Sequence, residues 1–453
     1  MKKKHEIDMT GGPLAVNILL FSLPLMMSQI LEVLFNLSDV AIAGKFADYR
    51  ALGAVGSTTL LVSLFIGFLL GMGNGVNVCA ARRLGAGDAR GTERTVCSSF
   101  VMCVLIGVVV GVLCFAFSRP LLELLRTKDE FIDGAELYLK IYALGMPAMG
   151  IFNFGNGVLS ASGETKRPLT YLTIAGVLNV ILNLFFVIVC GKAADGVAIA
   201  SVISEYLSAF LIVRHLVMRR DSCRLRFSRA YIDADCCRSV LMLGIPSGIQ
   251  SAIFAVANLF VQSGVNSFDA MLVSGNSAAA NADTLIYNVM AAFYVGCSSF
   301  VSRNLGAGKH DRVKKSYVVG LVYSFAVGSL LGGLLLIFGR EFLSVFANEP
   351  EVIECGMERI HIMGWSYAIS AFMDCTIAAS RGIGKAVVPT VIVILGSCVF
   401  RVAWVYTVFA YFRTITSLYL LYSFSWVITA TAEITYFVIC YKRIVKLAES
   451  GVH

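Results

Sequence analysis

The chain has 453 residues, 57% of them hydrophobic and only 15% charged, with a mean hydropathy of +0.78. No water-soluble core of this length needs so much apolar sequence, so the composition excludes a soluble protein and points to a polytopic membrane protein. The net charge of +8 invites a nucleic-acid reading, but the basic residues follow the loops between apolar runs, which is a topology signal.

Apolar runs long enough to span, roughly 20 residues each, recur about twelve times. They lie near 14–40, 51–80, 95–117, 133–160, 168–190, 194–214, 238–266, 278–302, 316–338, 352–380, 386–410 and 415–441. They are continuous instead of alternating, which predicts helices and an all-α polytopic membrane protein. The first run is too long for a cleavable signal peptide and lacks a small-residue cleavage site, so it is expected to remain as the first helix.

That first span carries the clearest polar set. Gln29, Glu32, Asn36 and Asp39 are spaced by 3, 4 and 3 residues, which lines them on one helical face. Pro24 precedes them and is expected to kink the helix or free a carbonyl. Ionisable groups inside a bilayer cost about 2.5–3.5 kcal/mol or more at a helix centre, so they are functional suspects. The bland reading makes Asp39 a helix-end residue and Glu32 a packing partner. The second span repeats glycine at 67, 71 and 75, a packing pattern that lets helix backbones approach. It ends in Leu84-Gly85-Ala86-Gly87, a tight glycine turn flanked by Arg82 and Arg83. A phosphate cradle there is disfavoured, because no strand precedes it and the Lys-Ser/Thr of a phosphate loop is missing. Further on, Asn179 and Asn183 are i, i+4 in the fifth span, and Ser201 and Glu205 are i, i+4 in the sixth. Short oxygen-bearing side chains of this kind suit Na⁺ or a proton relay.

The chain then repeats itself. Leu305-Gly306-Ala307-Gly308 returns 221 residues after Leu84-Gly85-Ala86-Gly87, and Gly384…Pro389 returns 221 after Gly163…Pro168. Pro246…Asn258 answers Pro24…Asn36 at an offset of 222. Six spans per repeat is an even number, so the two lobes are parallel repeats related by a pseudo-two-fold axis along the membrane normal. The predicted organisation is an N-terminal lobe over 1–217, a polar Arg-rich linker over 218–237 and a C-terminal lobe over 238–453. With the N-terminus inside, inner segments carry 26 basic residues, from Lys2, Lys3 and Lys4 to Arg229 and Lys446, against 8 outside, among them Arg126. This places both termini in the cytoplasm. The 13 cysteines show no Cys-x-x-Cys spacing, which argues against a metal or disulfide framework.

The second lobe keeps the scaffold and drops the carboxylates. At the 222 offset Asn36 is retained as Asn258, but Glu32 becomes Phe254 and Asp39 becomes Val261. A packing role would recur in both lobes, so the N-terminal lobe is expected to hold a specialised cation or proton site. A further polar set in the second lobe is Gln250, Asn258, Tyr367 and Asp374, with Arg401 and Glu433 also inside spans. Asp374, Arg401 and Glu433 form either a structural charge cluster or a part of the transport site. His361 has no His-Glu-x-x-His context and reads as a packing or headgroup residue.

These residues resemble a family. Pro24…Asn36-Leu-Ser-Asp39-Val-Ala-Ile-Ala-Gly44, the Arg-Leu-Gly-Ala-Gly turns, Gly163-Glu-Thr-Lys-Arg-Pro168 and Leu178-Asn-Val-Ile-Leu-Asn183 together resemble the multidrug and toxic compound extrusion (MATE) transporters. The resemblance is closest to their bacterial drug-efflux members and covers essentially the whole chain. It implies twelve helices in two six-helix lobes, and export of organic, often cationic, compounds in exchange for Na⁺ or H⁺. It also implies a cation site on Asp39, Asn179, Asn183 and Ser201. Asn183 departs from an Asp in the family pattern, and Glu205 stands where Gln is frequent, so the second carboxylate is expected to have moved from helix 5 to helix 6. In one branch, the NorM transporters, a helix-10 Asp also couples, and Asp374 matches it.

The expected mechanism is alternating access around a cavity lined by aromatic and Met side chains. No cofactor is expected beyond the coupling ion, with Asp39 the one place for Na⁺. The expected partners are small organic molecules and the lipid bilayer, with no nucleic acid and a functional monomer in the bacterial cytoplasmic membrane. The alternatives are a lipid-precursor flippase, a narrow-specificity metabolite exporter of the same superfamily, a membrane-embedded enzyme or a non-transporting receptor. A flippase would need more intramembrane cations than Arg401, Lys140 and Arg359 supply, an enzyme a nucleophile with its base, and a receptor no acid confined to one lobe.

Overall fold

A computed structural model describes residues 6–46, 49–125, 127–228 and 231–450. Lys2, Lys3, Lys4, Arg126 and Arg229, counted above in the loop charges, lie outside the described residues. Helices make up the fold: α1 Leu14–Phe46, α2 Tyr49–Gly85, α3 Ala89–Leu124, α4 Asp129–Ala143, α5 Met146–Ser162, α6 Lys166–Leu184, α7 Ala194–Met218, α8 Ala234–Val265, α9 Ala270–Gly306, α10 His310–Ser344, α11 Pro350–Gly382, α12 Val387–Val393, α13 Phe400–Trp404, α14 Ala410–Phe412 and α15 Ile415–Glu449. The pieces α12 to α14 are one rod, Val387–Phe412, joined through wide π turns at Ile394–Val399 and Val405–Phe409. A similar turn at Phe185–Val189 extends α6.

Counting α4 with α5, twelve rods follow one another among the described residues, and ten are long and apolar enough to cross a membrane. The two others fall short for different reasons. The rod α4–α5 is interrupted at Leu144–Gly145. The rod α11 carries Glu351, Glu354, Glu358, Arg359, Asp374 and Arg381.

The repeat governs the helix ends. At Gly87, Gly163, Gly308 and Gly384 the backbone φ is +70°, +89°, +68° and +85°, a left-handed conformation that costs glycine nothing. The amides at each turn bond back into the preceding helix: Gly87 N–H donates to the Leu84 carbonyl at 3.3 Å and Asp88 N–H to Arg83 at 3.1 Å, and Gly308 and Lys309 repeat the pair. This is the Schellman stop. It also uses up the amides that a phosphate cradle would need.

The chain divides into two compact units. Unit 1 takes Met27–Ala252 and the start of the chain up to Asp8; unit 2 takes Met9–Met26 and Ile253 onward. The units therefore differ from the chain-order lobes. The first part of α1 belongs to unit 2 and the first part of α8 to unit 1, with Pro24 and Pro246 within seven residues of the two divisions. Within unit 1 the glycine stripe of α2 explains the α8 assignment. A methyl group at Gly71 would fall 2.4 Å from the Gly248 nitrogen, and one at Gly75 would fall 2.8 Å from that of Gly244. Backbones this close tolerate no side chain between them.

Unit 1 is also tied by a buried ion cluster at the Gly163 turn. Arg219 donates to Glu164 at 2.8 Å, to Glu6 at 2.6 Å and to Asp221 at 2.8 Å. Burial alone would raise the Glu164 carboxyl; the His215 hydrogen bond and the Arg219 charge outweigh it and hold it down at about 2.

Candidate cation-binding site

In unit 1 three helices bring the polar residues together. The Phe35 ring of α1 lies where a Gly176 side chain would be, so α1 seats directly on α6. About two turns further along α6, Asn183 donates through Nδ2 to Asp39 Oδ1 at 2.5 Å and to Asn179 Oδ1 at 3.1 Å. Ser201 of α7 donates to Asp39 Oδ2 at 3.3 Å and accepts from Asn179 Nδ2 at 3.3 Å. The four side chains close a ring. Asn183 is fully buried, and its Oδ1 has no hydrogen-bond partner among the described residues. A buried acceptor left unpaired is costly unless something occupies it. The ring gathers two carboxylate oxygens, two amide oxygens and a hydroxyl, a donor set that fits a small hard cation or a proton.

Glu205 follows Ser201 by one turn of α7. It accepts a hydrogen bond from the Tyr142 hydroxyl, and its Oε2 is buried without a partner. That oxygen lies 2.0 Å from where a Gly145 side chain would begin. The interruption between α4 and α5 thus makes room for the carboxylate. Tyr138 stacks on Tyr142 with centroids 5.8 Å apart and planes 13° apart, and the Tyr206 hydroxyl caps the Leu144 carbonyl at 2.9 Å. The charges of Asp39 and Glu205 both act on this tyrosine pair. Tyr138, Tyr142 and Gly145 escaped the sequence reading; their i, i+4 spacing and the Gly-Met-Pro that follows were the available signals.

The other polar residues of α1 stay outside the ring. Glu32 is half-buried and Asn36 exposed, and neither makes a hydrogen bond to Asp39, Asn179, Asn183 or Ser201. Pro24 lies inside a continuous helix.

Unit 2 holds a different arrangement at the matching positions. The wide turn Ile394–Val399 takes in one more residue than α6 does, so the offset there changes from 221 to 222. Asn179 then corresponds to Arg401, Asn183 to Val405 and Asp39 to Val261, while Ser201 corresponds to Tyr422. Arg401 is 1% exposed. It lies 4.5 Å from the Phe254 ring and 4.6 Å from the Tyr422 ring and donates to Asn258 Oδ1 at 3.0 Å. Val261 and Val405 pack in the apolar core beside it.

Elsewhere in unit 2, Arg359 donates to Asp283 and, at 2.5 Å, to Asn276, and Tyr367 donates to Asp283. Asp283 and Asn276 were not legible beforehand, because neither Ser-Gly-Asn276-Ser nor Asn-Ala-Asp283-Thr has a distinctive pattern. Tyr367 thus joins Asp283, and Asn258 joins Arg401. Asp374 is hydrogen-bonded to neither; the charges acting on it are Arg381 and Arg401. Gln250 belongs to unit 1.

The family model MatE matches residues 24–185 and again 246–407, the two copies separated by 222 residues. The chain is similar to the probable multidrug resistance protein YpnP of Bacillus subtilis, at 26% identity over 80% of each chain. It is similar also to a FAD transporter of Shewanella oneidensis, at 23% identity over 78% of each. Among solved structures, a MOP superfamily transporter from Pyrococcus furiosus, described as having reverse polarity of its binding pocket, superposes with a TM-score of 0.91. That match has 19% identity and covers 98% of this chain and 99% of the other.

Proposed function

This chain belongs to the MatE family of multi-pass membrane transporters, and from that premise we propose that it is an antiporter exporting organic, often cationic, compounds in exchange for Na⁺ or H⁺. The observation that carries the reading is the ring of Asp39, Asn183, Asn179 and Ser201, present in unit 1 alone. With Asp39 charged, both its oxygens accept, and α1 is tied to α6 and α7. A proton on Asp39 turns one oxygen into a donor, so one of those bonds must be given up or reversed. Na⁺ would instead recruit the unpaired Asn183 oxygen. Either ion changes how α1 is held, and such a difference between states is what coupling requires. Glu205 and Tyr142 supply a second carboxyl beside the ring, on helix 6 of the lobe. Export would proceed by alternating access of the two lobes, in the bacterial cytoplasmic membrane with both termini inside and the monomer as the working unit.

The test is efflux of ethidium from vesicles under separately imposed pH and Na⁺ gradients. Wild-type efflux should follow one gradient and disappear in Asp39→Asn. Coupled transport that survives Glu205→Gln but not Asp39→Asn would refute the role of Glu205. Failure of the wild type to move ethidium under either gradient would shift the reading to a lipid-precursor flippase or narrow metabolite exporter. The similarity to a FAD transporter makes an anionic metabolite the first cargo to try next.

A further inference from the structure

Glu433 of α15 is 0% exposed. Both its carboxylate oxygens are buried with no hydrogen-bond partner among the described residues. The charged groups acting on it are Arg381 and Asp374 of α11, and Arg401 of α13 acts in turn on Asp374. Tyr287 of α9 faces Asp374 and Arg381, and Tyr436 of α15 faces Glu433. The wide turn Ile394–Val399 brings a neutral pair, Ser397 hydrogen-bonded to Thr429 at 3.0 Å; α12 has no charged residue. The counterpart of Glu433 in unit 1 is Ile212, buried in an apolar core, so the carboxyl belongs to unit 2 alone.

Ionisable groups kept inside a bilayer mark proton relays and ion paths. We propose that Glu433 is a second ion-coupling site, carried by unit 2, and that it takes protons only. A hard cation needs about six oxygen ligands, whereas Glu433 has no hydrogen-bond partner among the described residues. A proton needs one carboxyl and nothing else. The contrast with Asp39, which sits among amide and hydroxyl oxygens, separates the two sites chemically. The proposal rests on the exporter reading above.

Dicyclohexylcarbodiimide, which reacts with protonated carboxyls in apolar surroundings, tests it directly. The full-length protein in lipid vesicles is treated between pH 5.5 and 9, and adducts are located by peptide mass spectrometry. Labelling of Glu433 should be several-fold greater at pH 5.5 than at pH 9, and should persist in Asp39→Asn. In parallel, Glu433→Gln should flatten the pH dependence of efflux and Glu433→Asp should keep it. Absence of label at Glu433 at every pH, equal label at every pH, or a wild-type pH profile in Glu433→Gln would overturn the proposal. Because labelling does not depend on cargo, a labelled Glu433 in a protein that moves no ethidium would count against the exporter reading and for the site.

Discussion

Unit 1 surrounds a carboxylate with amides and a hydroxyl; at the matching place unit 2 holds a guanidinium between two aromatic rings. One helical scaffold, used twice, thus carries a carboxylate at Asp39 in one unit, where the other has Val261, and a guanidinium at Arg401 in the other, where the first has the amide of Asn179. Arg401 is a cation that the chain itself supplies, fixed by Phe254, Tyr422 and Asn258. Under the proposed function Asp39 takes its cation from solution. Duplication preserved the order of the helices and the glycine turns, while the residues that line this place diverged.

The comparison can be broken most decisively at Asp39. Asp39→Asn should reduce gradient-driven efflux to the vesicle background, whereas Arg401→Gln should keep a gradient-dependent signal; equal losses in both would mean that the two places are not specialised.

The next effect is on stability and also belongs to one unit. Glu164 has Lys385 as its counterpart, so the buried pair with Arg219 is peculiar to unit 1. Removing one partner of such a pair costs about 3 kcal/mol. The folded Glu164 carboxyl, at about 2, lies below its ordinary 4.5, so its contribution is complete above about pH 4.5 and is lost as the pH falls toward 2. Thermal melts in detergent should show Glu164→Gln destabilised at pH 7, with the difference from wild type closing as the pH approaches 2. A gap that stays constant with pH would contradict the pairing.

Arg401→Gln should lower stability by about 2 kcal/mol through loss of the ring contacts, again read by thermal melts. The smallest effect is expected at the interruption of α4–α5. Gly145→Ala would push the Glu205 carboxylate off its position and should slow efflux about threefold, or about 0.65 kcal/mol. An unchanged rate would sharpen the comparison by restricting the unit 1 site to the Asp39 ring.

Much of the fold could be read from the sequence, because its signals are local. Continuous apolar runs gave the helices, and the repeated glycines gave turns that the backbone adopts at four places. Spacing put Asn179 over Asn183 and Ser201 before Glu205, but only the packing of α1 on Gly176 brings Asp39 to them. Tyr138, Tyr142 and Gly145 were not legible because their role depends on a helix interruption opposite α7. The division of α1 and α8 between units was hidden for the same reason: nothing in Leu14–Phe46 marks where its neighbours change. Asp283 was missed because its partners Arg359 and Tyr367 are about 80 residues away.

The additional residue taken up in Ile394–Val399 has a consequence for anyone redesigning this protein. Each residue advances a helix by about 100°, so one inserted residue would re-aim every side chain beyond it unless a wide turn absorbs it. The lobes differ in residue count as well as in composition. Grafting Asp, Asn, Asn and Ser onto the second lobe by matching positions at a constant spacing would aim the amides at the wrong neighbours. A working transplant would place the amides at 401 and 405, one residue later than a constant spacing of 221 gives.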